Sequence, residues 1–215
     1  MAPSSTTVVI IDSGICNLFN VQRAFESIGA QVTISRSKKD ILGAERIVLP
    51  GVGAFGPGME SLSQHDLIEP IAAFVKSGKP LLGICLGMQM LMTTSEELGV
   101  WKGLDLVKGR VRMFQKPESS DTKFKIPQIG WNVIEKSESK GTILNGLGEK
   151  PYVYFVHSFV VEPEDPRHVL GATTYGRNRF CSVLRKDNIS ACQFHPERSG
   201  PIGLKVLQNF LKEPS

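Results

Sequence analysis

The sequence predicts an α/β fold: an open, mostly parallel sheet with helices on both faces and a β-rich carboxyl-terminal half. Three observations carry this. Short, wholly apolar runs such as Val8 to Ile11 suit strands covered on both faces. Between them apolar residues recur at helical spacing, giving the βαβ rhythm of a sheet whose ligands bind beyond the carboxyl ends of its strands. Past Gly99 helical spacing gives way to short strand-like pieces.

In chain order, Met1 to Thr7 is small and polar with no basic region, and reads as a loose tail rather than a signal peptide. Val8 to Ile11 is the first strand, closed by Asp12. Val21, Ala24, Phe25 and Ile28 recur at helical spacing until Gly29 stops them. Val32 to Ser35 and Ile47 to Leu49 are the second and third strands, the latter running into Pro50-Gly51-Val52-Gly53-Ala54-Phe55-Gly56. A helical stretch from Leu67 to Val75 ends at Gly78. Pro80 to Ile84 then reads as a buried strand, and Met88 to Met92 as a helix. From Leu104 to Ile134 strand-like pieces are interrupted by a polar stretch, Gln115 to Lys125, expected to be an exposed loop. Tyr152 to Val161, Cys181 to Leu184 and Ile189 to Phe194 read as further strands. Ile202 to Leu211 closes the chain as a helix with Ile202, Val206, Leu207 and Phe210 on one face.

The 215 residues are expected to form one domain over residues 1–215. Charged residues make up 21% and hydrophobic ones 41%, ordinary for a globular protein, and a net charge of +4 without a basic cluster gives nucleic-acid binding little support. No apolar run approaches the ~18 residues of a membrane span. Cys16, Cys85, Cys181 and Cys192 lie far apart, with neither metal-ligand spacing nor a disulfide framework. That points to a reducing, cytoplasmic setting, and no metal or cofactor is expected.

The stretch Gly83-Ile84-Cys85-Leu86-Gly87 has the pattern of a nucleophile elbow in its cysteine form: strand, sharp turn, helix. The glycines at 83 and 87 suit a turn too tight for neighbouring Cβ atoms. A sulfur at the first turn of a helix sits at its positive end, which favours thiolate over thiol. On this position alone a core cysteine fits as well. Gln193-Phe194-His195-Pro196-Glu197 adds a second element. Residues two apart in extended chain project to one side, so Glu197 can orient His195 while the other ring nitrogen faces a thiol. Against it stands a plain surface turn. The third element is Pro50-Gly51-Val52-Gly53, whose uncovered N–H groups, with that of Leu86, can form an oxyanion hole. Three strand ends carrying nucleophile, acid-base pair and oxyanion loop favour the joint catalytic reading.

These three motifs resemble the class I, triad-type glutamine amidotransferases, and the chain is expected to share their fold. Asp12-Ser13-Gly14 with Asn17-Leu18, Pro127 to Asn132, Tyr154 to Phe159 and Phe194 to Gly200 are similar, more narrowly, to the glutaminase-subunit family of imidazole glycerol phosphate synthases. The resemblance runs from about Val8 to Leu211. It implies Cys85 as nucleophile, His195 as general base and acid, and Glu197 as its orienting partner. Val52, Gly53 and Leu86 would serve the oxyanion, with a flip of the 51–53 loop as one route. Gly53, Gln89, Ser158 and Phe159 would hold the glutamine substrate. It further implies a separate (βα)8-barrel cyclase subunit that receives the ammonia, docked on the face carrying Asn17, Trp131 and Arg198. His157 reads as structural. Arg198 stands where the family pattern has lysine, and Cys16 where it commonly has glycine. Alternatives are a paralogous glutaminase serving another synthase, such as one aminating a surface sugar, a non-catalytic binding subunit of the same fold, and a free-standing cysteine hydrolase.

Overall fold

The computed structural model describes residues 6–14, 16–116, 125–137 and 141–214. The chain begins with β1 (Thr7–Ile11), α1 (Leu18–Ser27), β2 (Gln31–Ser35), α2 (Lys38–Gly43), β3 (Ile47–Gly51), α3 (Phe55–Gln64), α4 (Ile68–Lys76), β4 (Leu81–Cys85) and α5 (Leu86–Met90). Then come β5 (Met92–Ser95), β6 (Trp101–Lys102), β7 (Val107–Met113), β8 (Gln128–Val133), β9 (Glu135–Lys136), β10 (Tyr152–His157) and β11 (Phe159–Pro163). The chain closes with β12 (Val169–Tyr175), β13 (Asn178–Lys186), β14 (Ile189–Cys192) and α6 (Gly200–Leu211).

The parallel part of the main sheet runs β2-β1-β3-β4-β14, as the alternation of strands and helices predicted. From β14 the sheet continues antiparallel through β13 and β11 to β7, and β5 and β6 follow, with β12 and β9 branching from β13. A separate two-stranded ribbon pairs β8 with β10.

The inner strands β1, β3 and β4 are covered on both faces, which is why they are almost wholly apolar, whereas the edge strand β2 is polar at Gln31, Thr33 and Ser35 and largely exposed. Val8, Ile10, Val48, Leu82 and Ile84 pack on one side with Val21, Phe25, Val206 and Phe210 of α1 and α6. Val9, Ile11, Ile47, Leu49 and Leu81 pack on the other with Ile41, Phe55, Leu62, Ile71 and Phe74 of α2, α3 and α4. The expected face of the last helix is present, with Val206, Leu207 and Phe210 fully buried.

Several expected boundaries shift. Thr7 belongs to β1 rather than to a tail, while residues 1–5 lie outside the described set. The helix expected over Met88 to Met92 is the five-residue α5, and Met92 already begins β5. Tyr152 to Val161 is two strands in two sheets, because the chain leaves the ribbon at Ser158 and enters the main sheet at Phe159. Of the polar stretch from Gln115 to Lys125, residues 117–124 lie outside the described set. Its ends are fastened: Gln115 N–H donates to Asn178 Oδ1 at 2.9 Å, and the Tyr175 hydroxyl donates to Lys125 O at 2.9 Å.

One close approach sets the geometry between β3 and α5. A Cβ built on Gly87 would lie 1.8 Å from the main-chain oxygen of Leu49. Gly87→Ala should therefore destabilise the protein by about 3 kcal/mol, the upper end of overpacking costs. At exposed Gly148 a Cβ would meet nothing within 4 Å, so Gly148→Ala should leave the urea midpoint nearly unchanged. Equal midpoints for the two variants would refute the contact.

Candidate active site

In the main sheet β4 lies between β3 and β14, with Gly51 opposite Cys85 and Cys192 opposite Ile84. The loop after β3, the turn at Cys85 and the run from Gln193 to Glu197 therefore emerge at one rim, beyond the carboxyl ends of parallel strands. They line a cavity of about 320 Å3 that contains Val52, Gly53, Cys85, Leu86, Gln89, His195 and Glu197.

Cys85 has φ 54° and ψ −110°, a conformation costing a non-glycine residue on the order of 1–3 kcal/mol. The strain sits at Cys85 itself. Its flanking glycines answer a steric demand instead, since a Cβ on Gly83 would come 3.1 Å from the main chain of Met88. Cys85 is only 6% exposed, yet its sulfur faces the cavity rim, 3.9 Å from Val156 O and 3.6 Å from Gln193 Nε2. The helix behind it is little more than one turn, so its dipole is smaller than the sequence implied.

His195 Nδ1 lies 2.8 Å from Glu197 Oε1, and both side chains are buried. The pairing arises differently from the extended-chain argument. Pro196–Arg198 forms a single 3-10 turn, and this curl brings the carboxylate back to the ring. The turn is fastened by His195 N–H donating to Tyr154 O at 3.0 Å and by Ser199 Oγ donating to His195 O at 2.6 Å. Burial alone would suppress charge on His195. The Cys85 sulfur and the Glu197 carboxylate beside it prevail, raising the imidazole well above the ordinary histidine value.

Gln89 is buried on α5, its Nε2 donating to Phe159 O at 3.2 Å and to Gln193 Oε1 at 3.1 Å. Ser158 and Phe159 reach the cavity from the break between β10 and β11. Asn17 and Arg198 line its mouth, whereas Trp131 lies outside it, more than half exposed on β8. Trp131 and Arg198 meet through Tyr154: the indole packs edge-on at 5.9 Å and the guanidinium sits 4.7 Å above the ring. His157 is buried, with Nδ1 2.9 Å from Phe159 O and Nε2 3.0 Å from Gln128 Oε1. Desolvation pushes it down to about 4.

Two residues escaped the sequence reading. Glu97 lines the cavity, accepting from Phe55 N–H at 2.7 Å, and burial pushes its carboxyl up. Nothing in Glu96-Glu97 marked one of two turn acids. Gln193 is fully buried against the sulfur, and a lone amide in the mostly apolar run from Ile189 to Phe194 was the available signal. Among the described residues no group of three or more His, Cys, Asp or Glu side chains is arranged to hold a metal ion, and no helix is long and apolar enough to cross a membrane.

The family model for glutamine amidotransferase class-I matches residues 9–214. The chain belongs to the class-I glutamine amidotransferase family. Among curated relatives of this amidotransferase, imidazole glycerol phosphate synthase subunit HisH 1 of Legionella pneumophila (strain Paris) is 44% identical over 96% of this chain and 99% of its own. Subunit HisH of Chlorobaculum tepidum is 41% identical over 94% of this chain and 98% of its own. PurLQS from Thermotoga maritima shares the fold, with a TM-score of 0.70, 20% identity, and coverage of 96% of this chain and 98% of that one.

His157 gives this amidotransferase a pH signature. Its folded value of about 4 lies below the ordinary 6.5, so on acidification the unfolded chain takes the proton first. Stability is unaffected above pH 6.5 and drains as pH falls toward 4, by about 2 kcal/mol at pH 5. Urea midpoints at pH 7 and pH 5 should differ less for His157→Gln than for the parent. Identical differences would assign the acid sensitivity to another group.

Proposed function

We propose that this amidotransferase, acting as a single glutaminase domain, is the glutaminase subunit of an imidazole glycerol phosphate synthase in histidine biosynthesis. The observation that carries the proposal is the junction of Cys85, His195 and Glu197 at one cavity in a chain more than 40% identical to HisH subunits along nearly their whole length.

The chemistry follows from the arrangement. With His195 holding its second proton at neutral pH, Cys85 faces an imidazolium and attacks the γ-carbonyl carbon of glutamine as thiolate. The N–H of Leu86 opens α5 and has no intrahelical partner, so it is free to stabilise the developing oxyanion together with the loop at Val52 and Gly53. His195 passes its proton to the leaving nitrogen, ammonia departs, and a γ-glutamyl thioester remains. Water, deprotonated by His195, then cleaves the thioester to glutamate and restores the thiolate. Glu197 holds the ring in the tautomer and orientation that both steps need. Gly53, Gln89, Ser158 and Phe159 would hold the amino-acid end of glutamine, with the Glu97 carboxylate near enough to the cavity to take its ammonium group.

Free ammonia in bulk water would be protonated and lost as a nucleophile, so the product must be handed on directly. The face beside the cavity offers a docking surface for a separate (βα)8-barrel cyclase. Ile129, Trp131 and Tyr152 are all more than half exposed there, with Asn17 and Arg198 at the adjoining cavity mouth.

Cys85→Ala should retain the parent's unfolding midpoint and lose glutamine hydrolysis by at least about 10³-fold; undiminished glutamate release would exclude the sulfur as nucleophile. Glu197→Gln should lower kcat by roughly 10²- to 10⁴-fold with little change in KM. Mixed with a barrel cyclase and its substrate, the parent should form imidazole glycerol phosphate from glutamine, and its glutaminase rate should rise sharply over that of the chain alone. Fast hydrolysis that ignores the cyclase would point to a free-standing hydrolase instead.

A further inference from the structure

We infer that Gln193 is the hydrogen-bond donor that holds the attacking sulfur of Cys85 and favours its anionic form, oriented for that task by a relay that begins at the main-chain carbonyl of Phe159. The inference rests on Cys85 being the nucleophile.

The orientation of the relay follows from what each group can donate or accept. A main-chain carbonyl only accepts, so the Gln89 amide must turn its NH2 toward Phe159 O, 3.2 Å away. The same nitrogen lies 3.1 Å from Gln193 Oε1, which fixes the Gln193 carbonyl toward Gln89. The Gln193 NH2 is thereby left on the opposite side, 3.6 Å from the Cys85 sulfur. Gln193 is fully buried, and its own N–H is tied to Ser182 O at 3.0 Å, so the side chain has no solvent to turn to. A donor aimed at sulfur stabilises thiolate over thiol. Val156 O, 3.9 Å away, can only accept and favours the thiol, so Gln193 offsets that carbonyl. The relay starts at the residue where β11 enters the cavity. It links the backbone expected to hold glutamine with the atom that attacks it.

Other charged or titratable groups also face this sulfur or share its cavity: His195, Glu197 and Arg198 from the turn after β14, Cys192 from β14, His157 from β10 and Glu97 from the turn after β5. All six remain in both variants; Gln193→Met adds no charge, so its difference from the parent reports the amide alone, whereas Gln193→Glu also adds a carboxyl group beside the sulfur. Gln193→Met removes the donor at similar length. Gln193→Glu keeps an acceptor for Gln89 and replaces the NH2 by oxygen.

The test is iodoacetamide alkylation against pH, read by mass on the peptide bearing Cys85, because half-buried Cys16 is a second thiol within reach. The pH of half-maximal alkylation should rise by about one to two units in Gln193→Met, the worth of one hydrogen bond to a charged group, and further in Gln193→Glu. The high-pH plateau should not fall, since a thiolate of higher proton affinity attacks at least as well. Glutaminase kcat of the full chain with its cyclase at pH 7 should drop roughly 10- to 100-fold, with KM changing less. An unmoved midpoint with a lowered plateau would assign Gln193 to packing and overturn the inference. If Gln193→Met does not fold, Gln193→Leu, neutral and equally without a donor, decides by the same criterion. Loss of activity in Cys85→Ala together with an unmoved midpoint refutes the relay alone; a fully active Cys85→Ala refutes the nucleophile assignment beneath it.

Discussion

The site hangs on the closeness of Gly87 to the carbonyl of Leu49. That approach lays the first turn of α5 on the end of β3 and forces the chain at Cys85 into a conformation that a side-chain-bearing residue adopts only under constraint. The strain is local and the forces opposing it are distributed. All five residues of α5 are buried, β4 is hydrogen-bonded on both edges, and the layers above and below it are filled with aliphatic and aromatic side chains. A sulfur on an unconstrained loop would relax away from the rim. Here relaxation would require β3 and α5 to part.

Strand order does the remaining assembly. Cys85 and Gln193 are 108 positions apart, yet β14 lies directly against β4, so the residues that follow the two strands leave the sheet side by side. This pairing also marks where the parallel half meets the antiparallel half, through β13. The cavity therefore forms where the two halves meet and draws on both, with Ser158 and Phe159 arriving from the β-rich side.

Much of this was legible in the sequence, for identifiable reasons. Strands buried on both faces must be apolar, so β1, β3 and β4 announced themselves, and so did the elbow, because its glycines answer real collisions. What stayed hidden lacked a local signature. α3 reads Phe-Gly-Pro-Gly at its start and looks like loop, and α2 buries only Ile41. The apolar run from Tyr152 to Val161 concealed a change of sheet because both sheets bury the same residue types, and only Ser158 marks the corner. His195 and Glu197 were paired correctly through the wrong geometry, since two residues apart is a short reach in a 3-10 turn as well as in a strand. Gln193 was passed over because a buried amide looks like a misplaced polar residue until its partners are known.

Arg198, which stands where the family pattern has lysine, acquires a physical account from its surroundings. Its planar guanidinium lies over the Tyr154 ring, a stacking that a compact ammonium reproduces poorly. Tyr154 in turn is opposite Trp131 in the ribbon, and its main chain accepts from His195 N–H and donates to Ser199 Oγ, so it is tied to the two residues that bracket the turn carrying Glu197. The aromatic face and the acid-base pair are thus two sides of one hydrogen-bonded unit. A partner that pressed on Trp131 or drew Arg198 away from Tyr154 would act on the backbone of His195 without reaching into the cavity. Among the described residues Glu197 Oε2 is buried with no hydrogen-bond partner, and only Oε1 is held, by His195. A carboxylate so placed gains from any small rotation of its turn that brings a donor to the second oxygen.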